Sequence, residues 1–319
     1  MASTVVQNPG QVNNAGDRLA IFLKVFSGEV LTAFERTTVT MNRHVTRSIS
    51  SGKSAQFPAS GRAVAKYLAP GSSLDDQRSA IPHNEVTIVI DGLLTSDCLI
   101  TDLDAAMSHV DYRNEYSRQL GEALAVAADG AVLAEAVAVS QQPERLPGLG
   151  SGGSKQLATV TDVSAPSVQL GKEVLDALAI QRANFTTNRV PAADRYFFCT
   201  PNVFSSIGMA LTSNNANFAM ILDPSTGNLK GIHGFEIIEV PHFEDGGAET
   251  KHAFPSALKG KVAGLCMHRS AVGTVKLKDL ALERGRRIEF QGDQIVAKYA
   301  MGHGGLRAES ASLIIAKTA

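Results

Sequence analysis

The tripeptide Gly52-Lys53-Ser54 is the ending of a phosphate-binding loop, so nucleotide binding is the first chemistry to test. That motif needs its first glycine at position 47, where the chain has Arg47. It also needs a helix directly after the lysine, whose amide-rich N-terminus faces the phosphate. Pro58 follows closely and disfavours helix in the residue before it. We therefore expect Lys53 to be a surface contact and not a phosphate ligand.

A second glycine-rich stretch, residues 148–153, matches the G-x-G-x-x-G pattern of dinucleotide-binding loops. The dinucleotide site requires a strand before the glycines and a helix directly after them. Here a helical pattern and Pro147 come first, so the stretch is interpreted as a flexible link between domains.

Residues that could form a metal or catalytic site match no known spacing. The possible metal ligands are His233, His242, Asp245 and His252, and the possible triad members are His268 and Ser270. No Gly-x-Ser-x-Gly accompanies His303, so its neighbours Gly302, Gly304 and Gly305 are interpreted as a tight turn with positive φ. The sequence therefore predicts no enzyme, no cofactor and no metal.

Charge is close to balanced over the whole chain but not along it. The 319 residues carry a formal net charge of −1, whereas residues 91–146 hold three basic and ten acidic side chains. This balance excludes a globally basic nucleic-acid binder. Cys98, Cys199 and Cys266 lie in apolar runs and are expected to be buried thiols in a reducing compartment. The longest apolar stretch, residues 19–34, contains two charges and is too short for a membrane span.

The elements that would position these residues begin with a polar segment, residues 1–16, and a short helix that Asp17 can cap. Two extended arms follow, about 54–67 and 85–91, joined by a turn at 69–76. A lone hairpin is marginally stable in water, so it either packs on its own domain or lies across another subunit.

The clearest element is a helix over about residues 101–140, with a capping box at Thr101-x-x-Asp104 and apolar residues at helical spacing. Forty residues would form a rod of roughly 60 Å, in which Gly121 and Gly130 could cause a kink. The second half of the chain alternates helices and strands. The predicted helices start near residues 166 and 201, and the predicted strands cover 195–200, 234–240, a run at 262–277, 288–290, 295–299 and 312–316.

Several long blocks closely resemble the major capsid protein of short-tailed, podovirus (autographivirus-type) phages with double-stranded DNA. The blocks are DRLAIFLKVFSGEVLTAFERT (17–37), RSISSGKSAQFP (47–58), YLAPG (67–71), TIVIDGLLTSD (87–97), QLGEALAVAADGAVLAE (119–135), VPAADRYFFCTP (190–201), HRSAVGTVKLKDLALER (268–284) and AKYAMGHGGLR (297–307). They occur in the right order over nearly the whole chain. The sequence departs from the family pattern in residues 1–16, 140–165 and 244–260.

This resemblance implies an α+β fold, the tailed-phage and herpesvirus major capsid fold. Its parts would be an N-terminal arm (1–50), an extended E-loop hairpin (51–90), a peripheral domain with a long spine helix (91–146 and 285–319) and an axial domain (147–284). It also implies self-assembly into hexamers and pentamers of an icosahedral shell around double-stranded DNA, without sequence-specific contact. The implied partners are sister subunits, a scaffolding protein and a portal protein, with assembly in the host cytoplasm and no membrane.

Two sets of residues follow as candidates for function. The inter-subunit contact candidates are Lys53, Phe57, Arg62, Tyr67, Arg284, Arg286 and Arg287, the last three within a mixed-charge segment that suits ion pairs or a solvated face. The genome-facing acidic candidates are Asp104, Asp111, Glu115 and Glu122, which would repel packaged DNA because basic side chains supply attraction to phosphates.

Overall fold

The longest helix, α1 (Arg113–Ser140), has a length of about 42 Å at the usual rise per residue. It belongs to a computed structural model that describes residues 37–78, 80–102, 113–213, 231–244 and 251–318. The predicted helix at Asp17 lies outside these residues, and so do residues 103–112 of the helix predicted over about 101–140. Thr101 is the last residue of a strand and Asp102 directly after it is helical, so the predicted capping box continues into residues outside the description and remains a prediction. Gly121 and Gly130 are buried inside one continuous helix, so neither glycine breaks it.

The described residues also form eleven strands, two further α-helices and three short 3-10 helices. The α-helices are α2 (Val168–Thr187) and α3 (Pro201–Ser213). The strands are β1 (Val45–Ser48), β2 (Ser54–Ser60), β3 (His83–Val89), β4 (Leu94–Thr101), β5 (Gly153–Gln156), β6 (Arg195–Cys199), β7 (Glu236–Glu239), β8 (Val262–His268), β9 (Val272–Arg287), β10 (Gly292–Gly305) and β11 (Ala311–Ile315).

A five-stranded sheet of order β5-β11-β8-β6-β7 forms the centre of one half of the molecule. All residues of β6 and β8 are buried, because both faces of this sheet are covered. Phe197 packs with α2 and α3 on one face, while its neighbour Phe198 packs with α1 on the other. Successive side chains of a strand point to opposite faces, which explains the uninterrupted apolar run of β6.

A four-stranded sheet of order β1-β9-β10-β4 forms the other half. The N-terminal half of α1 packs on it through Leu120 and Leu124, which meet Ile295 and Tyr299 of β10. The C-terminal half of α1 packs on the five-stranded sheet through Val132 and neighbouring residues. The helix therefore joins the two sheets. Arg118–Ser140 is long and apolar enough to cross a membrane, but most of it is buried within the protein, as in a core helix.

The second half of the chain matches the predicted elements except in three places. The run 262–277 is two strands that belong to different sheets, and Ile288–Phe290 is a 3-10 turn, not a strand. The glycine-rich stretch 148–153 is packed instead of free: Leu149 is buried, and the Gly152 amide donates to the Gln142 carbonyl (3.0 Å). It follows a helix and precedes a strand, the reverse of a dinucleotide-binding loop.

Sheet membership bears on the expected domain limits. β11, at residues 311–315, pairs with β5 and β8, so it belongs to the five-stranded sheet that residues 153–268 also build. β9 begins at Val272 and lies in the four-stranded sheet with β10 and β4. The limits 1–50, 51–90, 91–146 with 285–319, and 147–284 remain a prediction, and the two sheets cross them.

Candidate subunit interface

The antiparallel hairpin of β2 and β3 ends in a loop, residues 61–82, that has exposed apolar side chains. The relative exposure of Tyr67 is 102%, that of Leu74 is 71% and that of Val64 is 65%. Leu68 and Ile81 are also exposed. Large apolar groups clustered in one exposed loop are typical of a surface that another molecule covers. We call residues 61–82 the tip loop.

The base of the hairpin packs on its own chain. Ile88 is buried against Val275 of β9, with Phe57 half-buried beside it. Gly302 and Gly304 of β10 permit this packing: a Cβ at Gly302 would lie 2.2 Å from the Val89 carbonyl oxygen. These glycines are in an extended strand, so the predicted turn with positive φ is wrong. Because these glycines have no side chain, residues 88–90 of the hairpin can pack directly against β10.

Of the contact candidates on the hairpin, Tyr67 lies free at the surface and Lys53 is exposed. The Phe57 ring lies 6.0 Å from the Arg47 guanidinium carbon, a cation–π contact. Arg62 folds back on its own chain and donates to the carbonyl oxygens of Gly148 (2.9 Å) and Asn188. Among the hydrogen bonds of the described residues, those of Arg62 join the tip loop to Gly148 and to the C-terminal end of α2.

The basic candidates of β9 make contacts within the chain. Arg286 forms a two-pronged pair with Asp102 at 3.0 and 2.5 Å, which lowers the pKa of that carboxyl. Arg287 donates to Gln294 (2.8 Å). Arg284 lies in β9, opposite Ile295, and its side chain is outside the described set. The structure thus joins Arg286 to the residue that follows β4 and Arg287 to β10.

The acidic candidates fall mostly outside the described side chains. Asp104 and Asp111 lie outside, and Glu115 is described only as backbone of α1. Glu122 is half-exposed and forms an i,i+4 pair with Arg118 at 3.8 Å. Its facing the genome therefore remains a prediction.

Three other acids of this segment support the fold, and sequence reasoning missed them. Asp129 has no exposed surface and accepts hydrogen bonds from the amides of Val39 (2.6 Å) and Thr40 (3.0 Å) and from the Thr40 hydroxyl (2.6 Å). Its other partner is His242, at 3.3 Å. Asp91 and Glu135 both contact His252. The sequence does contain a signal for Asp129. This residue lies in the alanine-rich apolar run AVAADGAV, where an unpaired charge would be costly, so a buried partner for it could have been predicted.

A buried chain of hydrogen bonds lies under the hairpin base. His44 Nδ1 lies 2.9 Å from the Thr40 carbonyl and must donate to it, so its Nε2 accepts from the Thr274 hydroxyl at 2.8 Å. The Thr274 oxygen then accepts from His303 Nδ1 at 2.9 Å. Burial lowers the pKa of both histidines, that of His303 to about 3. Both rings are therefore neutral, and they fix β1 side by side with β9 and β10.

Most of the described residues considered for catalysis or metal binding contact other groups of the chain, whereas His233 is exposed. No group of three histidine, cysteine or acidic residues in the described part of the chain could hold a metal ion. His242 and His252 contact different carboxylates, and Asp245 lies outside the description. His268 Nδ1 accepts from Ser270, whose hydroxyl also contacts Ser310 (3.0 Å). The three cysteines are buried and unpaired, as expected, and burial raises the pKa of each thiol, that of Cys98 to about 11.

A two-sheet body joined by one long helix, with a projecting hairpin, is the architecture of a tailed-phage major capsid protein. The capsid structure of cyanophage P-SCSP1u aligns with 100% of this chain and 100% of its own at a TM-score of 0.73 and 32% identity. The tailed-phage capsid fold, α+β as expected, is therefore confirmed.

The particular family is shown by sequence. The Gp10A-like family, described as "Major capsid protein", matches residues 56–315. The major capsid protein of Escherichia phage T7 is 55% identical over 95% of this chain and 94% of its own length. That of Enterobacteria phage T3 is 54% identical over 97% of this chain and 95% of its own length. The chain belongs to the Gp10A-like major capsid proteins, structural proteins of the virion that are not known as enzymes and whose general role is to assemble the shell.

Proposed function

We propose that this chain forms the hexamers and pentamers of an icosahedral shell enclosing double-stranded DNA, and that the tip loop is a main contact with the neighbouring copy. The exposure of Tyr67, Leu74 and Val64 on one loop is the observation that carries the proposal. A sister subunit supplies the apolar surface that this loop lacks within its own chain. The domains play the parts expected from the family: an N-terminal arm, an E-loop that includes the tip loop, a peripheral domain and an axial domain.

The remaining contact candidates act at the same boundary. Lys53 and Tyr67 are accessible in the isolated chain, while Arg62 and Arg286 have partners in their own chain that a neighbour would replace or supplement. The Arg286–Asp102 pair is an exposed ion pair, which contributes little to stability, so exchanging that partner on assembly costs little. Assembly takes place in the host cytoplasm with a scaffolding protein and a portal protein as partners, and no membrane takes part.

The test is electron microscopy of the expressed full chain together with scaffolding protein, with Tyr67→Ser and Leu74→Ser as the variants. Burying a large apolar side chain contributes about 1.5–3 kcal/mol, and each variant loses that contribution, so it should raise the concentration needed for assembly roughly tenfold to a hundredfold. The control is Lys66→Gln, which changes an exposed polar residue of the same loop. Unchanged assembly of both apolar variants would remove the tip loop from the interface.

An acidic inner wall is the proposed role of Asp104, Asp111, Glu115 and Glu122. Reversing all four charges should slow DNA packaging or ejection, because added basic groups would hold phosphates. Glu239→Lys, at an exposed position of β7, is the control. Variant particles that fill and empty like the parent would contradict the role. Salt-sensitive DNA binding by the unassembled parent subunit would contradict it as well.

A further inference from the structure

His252 lies between two carboxylates that come from distant parts of the chain. Its Nδ1 is 2.7 Å from Glu135 Oε1 of α1, and its Nε2 is 2.8 Å from Asp91 Oδ2, just beyond the end of β3. The side chain is 11% exposed. Residues 251–254 thus meet the hairpin base and α1 at one ring.

The two contacts determine the charge of the ring. A carboxylate only accepts hydrogen bonds, and a neutral imidazole has a single N–H to donate. Both contacts can be hydrogen bonds only when both ring nitrogens carry a proton. The geometry is therefore that of an imidazolium between two carboxylates, an arrangement of charge-assisted hydrogen bonds that are roughly twice as strong as neutral ones.

We propose that His252 is a proton-dependent clamp that fastens the base of the hairpin to α1, and that loss of its second proton releases one of the two carboxylates. Neither assembly nor DNA enclosure is needed for this inference, since all three residues belong to one chain. The clamp gives the hairpin base a definite hold on α1, the helix that joins the two sheets.

The surroundings of the ring agree with this assignment. Among the described residues, the titratable groups Asp91, Glu135 and His303 contact the ring, and Lys251 is adjacent in the chain. The centre of the His303 ring lies 5.6 Å from that of His252 and the two rings are nearly perpendicular, and His303 stays neutral because it is buried. Burial alone would lower the pKa of His252, but hydrogen bonds from the ring to Asp91 and Glu135 raise it to about 9.

The direction of the pH effect follows from the raised pKa. The clamp is complete below the ordinary histidine value of 6.5 and is lost as the pH rises through about 9. One pKa unit corresponds to about a tenfold change in the ratio of the two protonation states, so the clamp should suppress opening of the hairpin base at least about tenfold at neutral pH.

The decisive measurement is an NMR titration of the full chain labelled with ¹⁵N-histidine, in which the signal lost in His252→Gln identifies the ring. The parent should titrate about two pH units or more above the ordinary value. Glu135→Gln and Asp91→Asn should each move that midpoint down by at least about one unit, and both variants keep the histidine. A parent midpoint at or below the ordinary value would overturn the proposal.

Hydrogen exchange gives a second readout that mere packing would not produce. At about pH 7, His252→Gln should speed exchange in residues 86–94 at least about tenfold relative to the parent, and the ratio should fall towards one at about pH 10. His83→Gln, at an exposed histidine of the same hairpin, is the matched control and should change nothing. A variant-to-parent ratio that is equal at both pH values would show that His252 acts only by filling space.

Discussion

Asp129 offers the sharpest test of how α1 is fixed to the segment before β1. Its Oδ1 accepts from the amide and hydroxyl of Thr40, while its Oδ2 accepts from the Val39 amide at 2.6 Å and lies 3.3 Å from His242. Thr40 and Asp129 are both buried. Water therefore has little access to replace any bond that a substitution removes.

Asp129→Asn keeps the shape and one acceptor oxygen, which can still serve both groups of Thr40. It loses the acceptor for the Val39 amide and the negative charge near His242. A hydrogen bond to a charged group contributes about 1.5–3 kcal/mol, so we expect the free energy of unfolding to fall by about that amount. Asp129→Ala removes both acceptor oxygens and leaves three donors of Val39 and Thr40 without their partner, which should cost about 4 kcal/mol or more, since each buried donor left alone costs about 1–3 kcal/mol.

The assay is urea unfolding of the unassembled subunit. The chain has no tryptophan, so far-ultraviolet circular dichroism is the suitable probe. Asp97→Asn is the control, because Asp97 is exposed and accepts one hydrogen bond, from Gln294 (2.7 Å). If Asp129→Asn and Asp97→Asn differ by less than about 0.5 kcal/mol, the contacts of Asp129 do not stabilise the chain as argued.

Three further predictions concern other parts of the fold. Gly302→Ala should destabilise the subunit by about 2 kcal/mol or more in the same urea titration, because the new Cβ would lie 2.2 Å from the Val89 carbonyl oxygen. The control Gly285→Ala places its Cβ near no atom within 4 Å and should be neutral. Equal losses of stability in the two variants would contradict this reasoning. Burial alone would raise the pKa of Glu173, but hydrogen bonds from Thr159 and Gln169 lower it to about 2. The contribution of Glu173 to stability is therefore present above the ordinary value of 4.5 and is lost as the pH falls through about 2. Glu173→Gln should therefore make unfolding less sensitive to acid, and an unchanged acid transition would oppose this reasoning. The buried thiols of Cys98, Cys199 and Cys266 should react with an alkylating reagent only after unfolding, as counted by mass spectrometry. Fast modification of the folded chain would refute this prediction.

The sequence was informative wherever a local pattern determines structure. The apolar spacing after Leu120 predicts α1, and the β-branched run before Val89 predicts β3, because both depend on periodicity within one element. The family resemblance supplied the fold as a whole. Ile288–Phe290 was misread as a strand because a short apolar run has the same composition in a strand and in a 3-10 turn.

The missed residues depend on contacts that no local pattern encodes. Glu135 and His252 are 117 positions apart in the chain, and Asp91 is 161 positions from His252. The glycines of β10 were interpreted as a turn, because positive φ is the commoner reason for a glycine cluster. Only the position of the hairpin backbone, 2.2 Å from a Cβ built at Gly302, reveals the other reason.

The way the hairpin is inserted into the four-stranded sheet has a mechanical consequence. β1 precedes the hairpin and pairs with residues 273–276 of β9, while β4 follows it and pairs with residues 292–299 of β10 along the opposite edge. Any pull on the tip is thus divided between two edge strands that hold different halves of the same sheet. A force applied to the tip acts on both edge strands at once. It is therefore shared by the hydrogen bonds of two strand pairs, β1 with β9 and β4 with β10.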